Sequence, residues 1–270
     1  MTTATAPARR TTAVTPHRLT FLRSLRGEWI KLATLRSTWW SIGVTALITI
    51  GIALLIAQTV NAPDFGAIRA AVSPIQFTML LAGVLGVIVV TGEYSTGMIR
   101  STLTADPVRG SVLAAKALMT AVFLFVTSFL IFLAAALAAS PIMAGRDQPI
   151  DWGDPAASFV PLLAASLSMS VFALIGVAFG FILRSGAGAI AATVGLLFVL
   201  PIVASLFATP DPAWSWIADL SQYLPMSAAQ SAIMPESGWG LDEPVAYLTL
   251  AGWVGAGMLS AWAVLRTRDA

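Results

Sequence analysis

The chain has no cysteine, a single histidine and very little charge for its 270 residues. Each shortage closes off chemistry. Without cysteine there is no disulfide framework, thiol nucleophile or thiolate metal site. The one histidine, His17, lies in a basic Thr/Ala/Pro stretch, so the serines at Ser166, Ser168 and Ser170 have no imidazole at their depth to activate a hydroxyl. Small residues that let helices approach closely are the better reading of that triplet. No G-x-x-x-x-G-K-[ST] run occurs, so no phosphate-cradling loop of that kind is present, and any ATP-driven work must draw on another polypeptide. No catalytic residue, cofactor or metal is expected in this chain, and no nucleic-acid partner.

Charged residues make up only 10% of the sequence against about 25% in an ordinary soluble domain, while apolar residues reach 57%. The apolar residues gather into six long runs, roughly 38–58, 74–92, 114–139, 159–183, 187–208 and 244–265. Each is near or above the ~20 residues that a helix needs to cross a ~30 Å hydrocarbon layer. The expected fold is therefore an all-α integral membrane protein, with residues 38–270 forming a six-span transmembrane domain. The run centres carry no Asp, Glu, Lys, Arg or His, which disfavours a proton-coupled carrier, since such groups at membrane depth are kept for function.

The connections alternate in charge. Arg9, Arg10, Arg18, Arg23, Arg26, Lys31 and Arg36 precede the first run. Arg100, Arg109 and Lys116 lie between the second and third, Arg184 between the fourth and fifth, and Arg266 and Arg268 at the end. The other connections hold only Arg69 and Arg146, together with nine acids that include Asp64, Asp147, Asp151, Asp154 and Glu243. Lys/Arg-rich short loops stay in the cytoplasm, which places both termini there and agrees with an even span number. The first run starts far beyond the Arg9-Arg10 pair and shows no clear cleavage site, so it is expected to remain in the mature chain. Thirteen arginines against two lysines, with abundant alanine, suit a GC-rich bacterial genome and a multi-pass protein of a bacterial plasma membrane.

Residues 1–18 read as a disordered cytoplasmic tail. Residues 19–37 read as an amphipathic interface helix: Phe21, Leu22, Leu25, Trp29 and Leu32 share about a 100° arc, and Arg23, Arg26 and Lys31 lie elsewhere. Glu28 falls at the edge of the apolar arc. Either a protein partner covers that flank, or Glu28 pairs with Lys31 one turn on.

Loop 93–113 carries the densest pattern: Glu93-Tyr94-Ser95-Thr96-Gly97-Met98-Ile99-Arg100, then Pro107, Arg109 and Lys116. Ser95 or Thr96 is placed to cap a short helix of about two turns that stops before Pro107. Glu93 is placed either to cap a helix end or to hold the base of the loop against Lys116 or the interface helix. The external connections look different. Residues 140–158 are acidic, with Trp152 as an interface anchor. Residues 209–243 have no Lys or Arg, contain Trp214, Trp216, Tyr223 and Trp239, and around Leu220 and Leu224 suit short re-entrant helices. Gly176 to Gly180 forms a G-x-x-x-G packing motif, and Pro201 predicts a kink in the fifth span.

Over roughly residues 20–266 this arrangement resembles a permease of the ABC transporter type-2 family. The likeness rests on Arg26-Gly27-Glu28-Trp29-Ile30-Lys31-Leu32 before the first span and on the Glu93–Arg100 segment with Pro107, Arg109 and Lys116. It implies the transmembrane subunit of an ATP-driven exporter, a separate cytoplasmic ATPase, and a second permease copy, the same or different, completing the substrate path. It also implies that the short helix after the second span is the coupling helix, so that Glu93, Tyr94, Ser95, Thr96, Gly97, Met98, Ile99, Arg100 and Arg109 serve ATPase coupling. Arg26, Glu28, Trp29 and Lys31 would then belong to the interface helix beside it. An ion-coupled secondary carrier and a non-transporting scaffold are the alternatives.

Overall fold

The computed structural model describes residues 20–62, 65–106, 108–207, 214–235 and 240–267. The tail 1–18, His17, Pro107, Trp239 and Arg268 lie outside the described residues. Every regular element among those described is a helix. Six are long and apolar enough to cross a bilayer: Arg36–Thr59, Ile75–Ser95, Arg109–Ala144, Pro155–Leu183, Gly186–Ser205 and Glu243–Thr267.

We number the helices in chain order. α1 (Phe21–Thr34) precedes α2 (Arg36–Thr59), the first span. A short α3 (Ala67–Val72) leads into α4 (Ile75–Ser95), the second span, and α5 (Met98–Ala105) follows it. The third span, α6 (Arg109–Ala144), has 36 residues, or about 54 Å of helix at ~1.5 Å per residue, so it overhangs any ~30 Å layer. α7 (Pro155–Ser158) and α8 (Val160–Leu183) form the fourth span. The fifth is α9 (Gly186–Val194) continued by α10 (Leu200–Ser205); α11 (Ser215–Ser221) and α12 (Pro225–Ile233) precede α13 (Glu243–Thr267), the sixth.

The bundle is built around α8, 78% of whose most apolar window is buried, against 17% for the fifth and sixth spans. Its axis is the contact with α4, and glycine makes that contact possible. A Cβ on Gly86 would overlap the Ala173 carbonyl, one on Gly176 would overlap the Gly83 carbonyl, and one on Gly180 would come within 2.8 Å of Val90 Cβ. The G-x-x-x-G motif thus brings two backbones of the same chain together. The serines of α8 behave as packing residues: Ser166 and Ser168 donate to backbone carbonyls one turn back, and Ser170 donates to Ala121 of α6 at 2.9 Å.

Between α9 and α10 the fifth span widens into a π-turn over Gly195–Val199. Pro201 stands two residues beyond, with no N–H to give and a ring that crowds the preceding turn, so the predicted irregularity takes the form of a π-bulge. Among its described residues the connection before α13 folds into two short helices. α12 is buried along Met226, Ala228, Ala229 and Ala232, which covers its backbone with protein. Trp214 and Tyr223 are exposed nearby, and Trp152 is exposed against Phe159. α3 is buried at nearly every residue and lies outside the six apolar runs.

At one end of the bundle Arg146 closes α2. Its guanidinium donates to the carbonyls of Ala57, Gln58 and Val60 at 2.7, 2.7 and 2.8 Å, satisfying the last turn of that helix. At the other, basic, end Arg109 does the same for α13 by donating to the Leu265 carbonyl.

Candidate functional site: a closed ring of buried charge

At the basic end three helices contribute four charged side chains to one point. Lys116 of α6 is 1% exposed and donates to Glu28 Oε2 at 2.7 Å and to Glu93 Oε1 at 2.8 Å. Lys31 donates to Glu28 Oε1 at 2.8 Å and to the same Glu93 Oε1 at 2.7 Å. The four groups close a ring in which every cation touches both anions, and two acids against two bases leave it neutral. Neutrality and saturation make the burial tolerable, because an unpaired charge there would lose its hydration with nothing in exchange. Lys116 also donates to the Val89 carbonyl at 3.3 Å, and Thr102 of α5 approaches Glu93 Oε2 at a long 3.5 Å.

The ring explains the geometry of α1. Glu28 and Leu32 are its buried residues, so the side facing the bundle lies at the edge of the apolar arc. Glu28 pairs with Lys31 one turn on, and its flank meets Lys116 of the same chain. Much of the rest of the arc points outward, with Leu22 exposed and Trp29 half-exposed, its ring edge-on to Phe123 at 6.0 Å. Arg26 is exposed. Burial works against the Lys31 ammonium, yet hydrogen bonds and the charges of Glu28 and Glu93 outweigh it and hold its pKa above the ordinary 10.5. A cavity of ≈ 190 Å³ lies beside the ring, lined in part by Ser24, Gly27, Thr102 and Asp106.

α5 is mounted on this ring. α4 runs on to Ser95, so Glu93 is a buried helical residue near its end, and the non-helical joints around α5 are shorter than loop 93–113 suggests. Ser95 and Thr96 do not cap α5. Their hydroxyls donate back to the Gly92 carbonyl at 3.0 and 2.8 Å, closing α4. The chain then reverses at Gly97, whose φ of 71° is the left-handed region that glycine enters at least cost. α5 spans eight residues, about two turns, and ends at Ala105 before Asp106. Asp106 ties its end to α1, accepting from Ser24 Oγ at 3.2 Å, and accepts from the Val108 N–H at 3.1 Å.

The nine residues of the Glu93–Arg109 set therefore fall into two groups. Glu93, Tyr94, Ile99 and Arg109 face inward. Tyr94 stacks edge-on to Phe181 at 6.5 Å beneath the Arg184 guanidinium, and Ile99 is buried beside Leu113 and Val177. Met98, Arg100, Ser101 and Thr104 are exposed and form one outward side of α5, with Ser95, Thr96 and Gly97 exposed at its approach. Thr102, Asp106, Ser24 and Arg184 complete the assembly without any local signal in the sequence; Ser24 and Asp106, for example, are 82 positions apart.

Fold and site together define an all-helical protein with six bilayer-length helices and an ion-locked platform at one end. No family model matches the chain, and no curated protein matches it either.

Proposed function

We propose that the chain is the transmembrane permease subunit of an ATP-driven exporter in a bacterial plasma membrane, with α5 as the element that docks into a separate cytoplasmic ATPase. One observation carries this reading: a short helix with an exposed outward side, Met98-Arg100-Ser101-Thr104, is fixed to a buried neutral ring joining α1, α4 and α6. A push on such a helix passes directly to two spans and to α1, whereas a solvated loop would absorb it. The basic end would face the cytoplasm, with α1 along the headgroups, Arg26 in the polar layer and Trp29 and Leu22 toward lipid. A second permease copy would complete the substrate path. Span centres without ionisable groups weigh against a secondary carrier driven by protons.

The test is Arg100→Glu in a chain co-expressed with an ATPase that co-purifies with the parent. Arg100 sits on the exposed side, where a guanidinium suits a partner carboxylate, and it takes no part in the ring. Membrane levels should stay normal while ATPase co-purification falls by at least about tenfold, since a reversed charge across an interface repels. Unchanged association and transport would remove the docking role from α5.

A further inference from the structure

At the end of the bundle opposite the ring, an open cavity of ≈ 760 Å³ lies between the last turns of α2, the start of α4 and helices α11 and α12. Its size falls within the ~300–1,000 Å³ of small-molecule sites. Three carboxamides line it from three elements: Gln76 on α4, Gln222 after α11 and Gln230 on α12. None of them hydrogen-bonds another described residue. Each offers two N–H donors and a carbonyl acceptor. Of the four serine hydroxyls there, Ser73 donates to the Arg69 carbonyl at 2.6 Å, Ser221 to that of Ala218 at 2.7 Å and Ser231 to that of Ser227 at 3.1 Å, while the Ser227 hydroxyl has no partner among the described residues and adds a fourth polar group to the lining. Ile52, Phe77 and Met234 supply apolar wall, and no ionisable side chain lines the cavity among the described residues.

We propose that this cavity binds a neutral amphipathic molecule whose hydroxyl or amide groups meet the three glutamines while its apolar part lies along Ile52 and Phe77. A charged ligand would surrender hydration and find no counter-charge among the described lining residues, whereas hydroxyls and amides exchange water for carboxamide hydrogen bonds. Gln76 and Gln230 are exposed and Gln222 is half-buried at this one opening, and no described residue pairs with their amides, so all three are open to a ligand. The proposal does not depend on the permease reading.

The absence of cysteine makes the test direct. A Gln230→Cys variant in nanodiscs, which expose both faces, is labelled with an impermeant maleimide in the presence of octyl β-glucoside, decanoate or decyltrimethylammonium. Octyl β-glucoside should slow labelling and the two charged amphiphiles should not. Adding Gln222→Leu, or separately Gln76→Leu, should raise the half-protecting glucoside concentration roughly fivefold, the loss of about one neutral hydrogen bond. Unliganded labelling rates equal to that of Gln230→Cys alone confirm that these backgrounds fold. Equal protection by all three amphiphiles, protection by none, an unreactive Gln230→Cys, or protection insensitive to both leucine variants would each overturn the site. No ATPase is present, so failure here leaves the docking of α5 untouched.

Discussion

Lys116→Met removes one corner of the ring and keeps most of the side-chain volume. Two carboxylates, Glu28 and Glu93, then remain buried with Lys31 as their only cation among the described residues, so the cluster carries a net negative charge where it carried none. Removing one partner of a buried ion pair costs about 3–5 kcal/mol, because the remaining charge is left uncompensated. That is a shift of roughly two to nearly four powers of ten in the unfolding equilibrium. Neutralising the surplus should recover much of it. In Lys116→Met/Glu93→Gln the remaining Glu28 and Lys31 form an ordinary pair, and the cost should fall to about 1–2 kcal/mol, the size of the lost hydrogen bonds. Reversible unfolding in mixed micelles, followed by tryptophan fluorescence, reads both variants. The charge-balance argument is refuted if the single variant is as stable as the parent, or if the double variant is no better than the single one. Either result would mean that water or another group already compensates the carboxylates.

Three further outcomes follow from the geometry. Gly176→Val should destabilise the bundle by at least ~1–3 kcal/mol and lower the folded yield, whereas Gly51→Ala, with open space at its Cβ, should leave both unchanged in the same unfolding assay. The Lys31 ammonium, held above its ordinary 10.5, contributes stability that is complete below that value and lost only as pH rises through its raised one. The stability difference between the parent and Lys31→Gln should therefore be flat from about pH 7 to pH 9 and shrink only in stronger alkali; a decline beginning near neutrality would contradict the paired geometry. For orientation, Asp151→Cys should react with an impermeant thiol reagent added to intact cells and Ser101→Cys should react only after lysis, both being exposed positions at opposite ends; external labelling at Ser101→Cys would invert the topology.

How far the sequence carries is clear from the residues it placed and those it did not. Six apolar runs declare six helices because length and hydropathy are local properties. Their ends are less legible. Glu93 and Arg109 read as loop since they are charged, yet α4 and α6 include them, because each charge meets a partner brought from elsewhere in the chain. Ser95 and Thr96 have the composition of an N-cap, and both hydroxyls turned instead to a carbonyl of the helix behind them, a competition that residue type alone does not decide. Glu28 at the edge of an apolar arc and Lys116 at the mouth of a span were each visible as anomalies. Their meeting, 88 positions apart, is a tertiary fact.

The same distinction bears on self-association. Gly176 and Gly180 look in sequence like a surface for a second helix of another subunit, and small-residue motifs support dimers when they face outward. Here that surface is occupied by α4 of the same chain, with no room for a methyl group at Gly176 or Gly86. The motif therefore offers no support for a permease dimer. A second copy would have to meet the outward sides of the peripheral spans, where Leu47 of α2, Ile202 of α10 and Leu248 and Leu259 of α13 are exposed. Those same side chains are what lipid-facing helices require, since without an aqueous phase apolar exposure alone does not drive association. Self-association thus depends on shape and hydrogen bonding along those spans, and the fifth span, with its π-turn and Pro201, departs in shape from a plain cylinder.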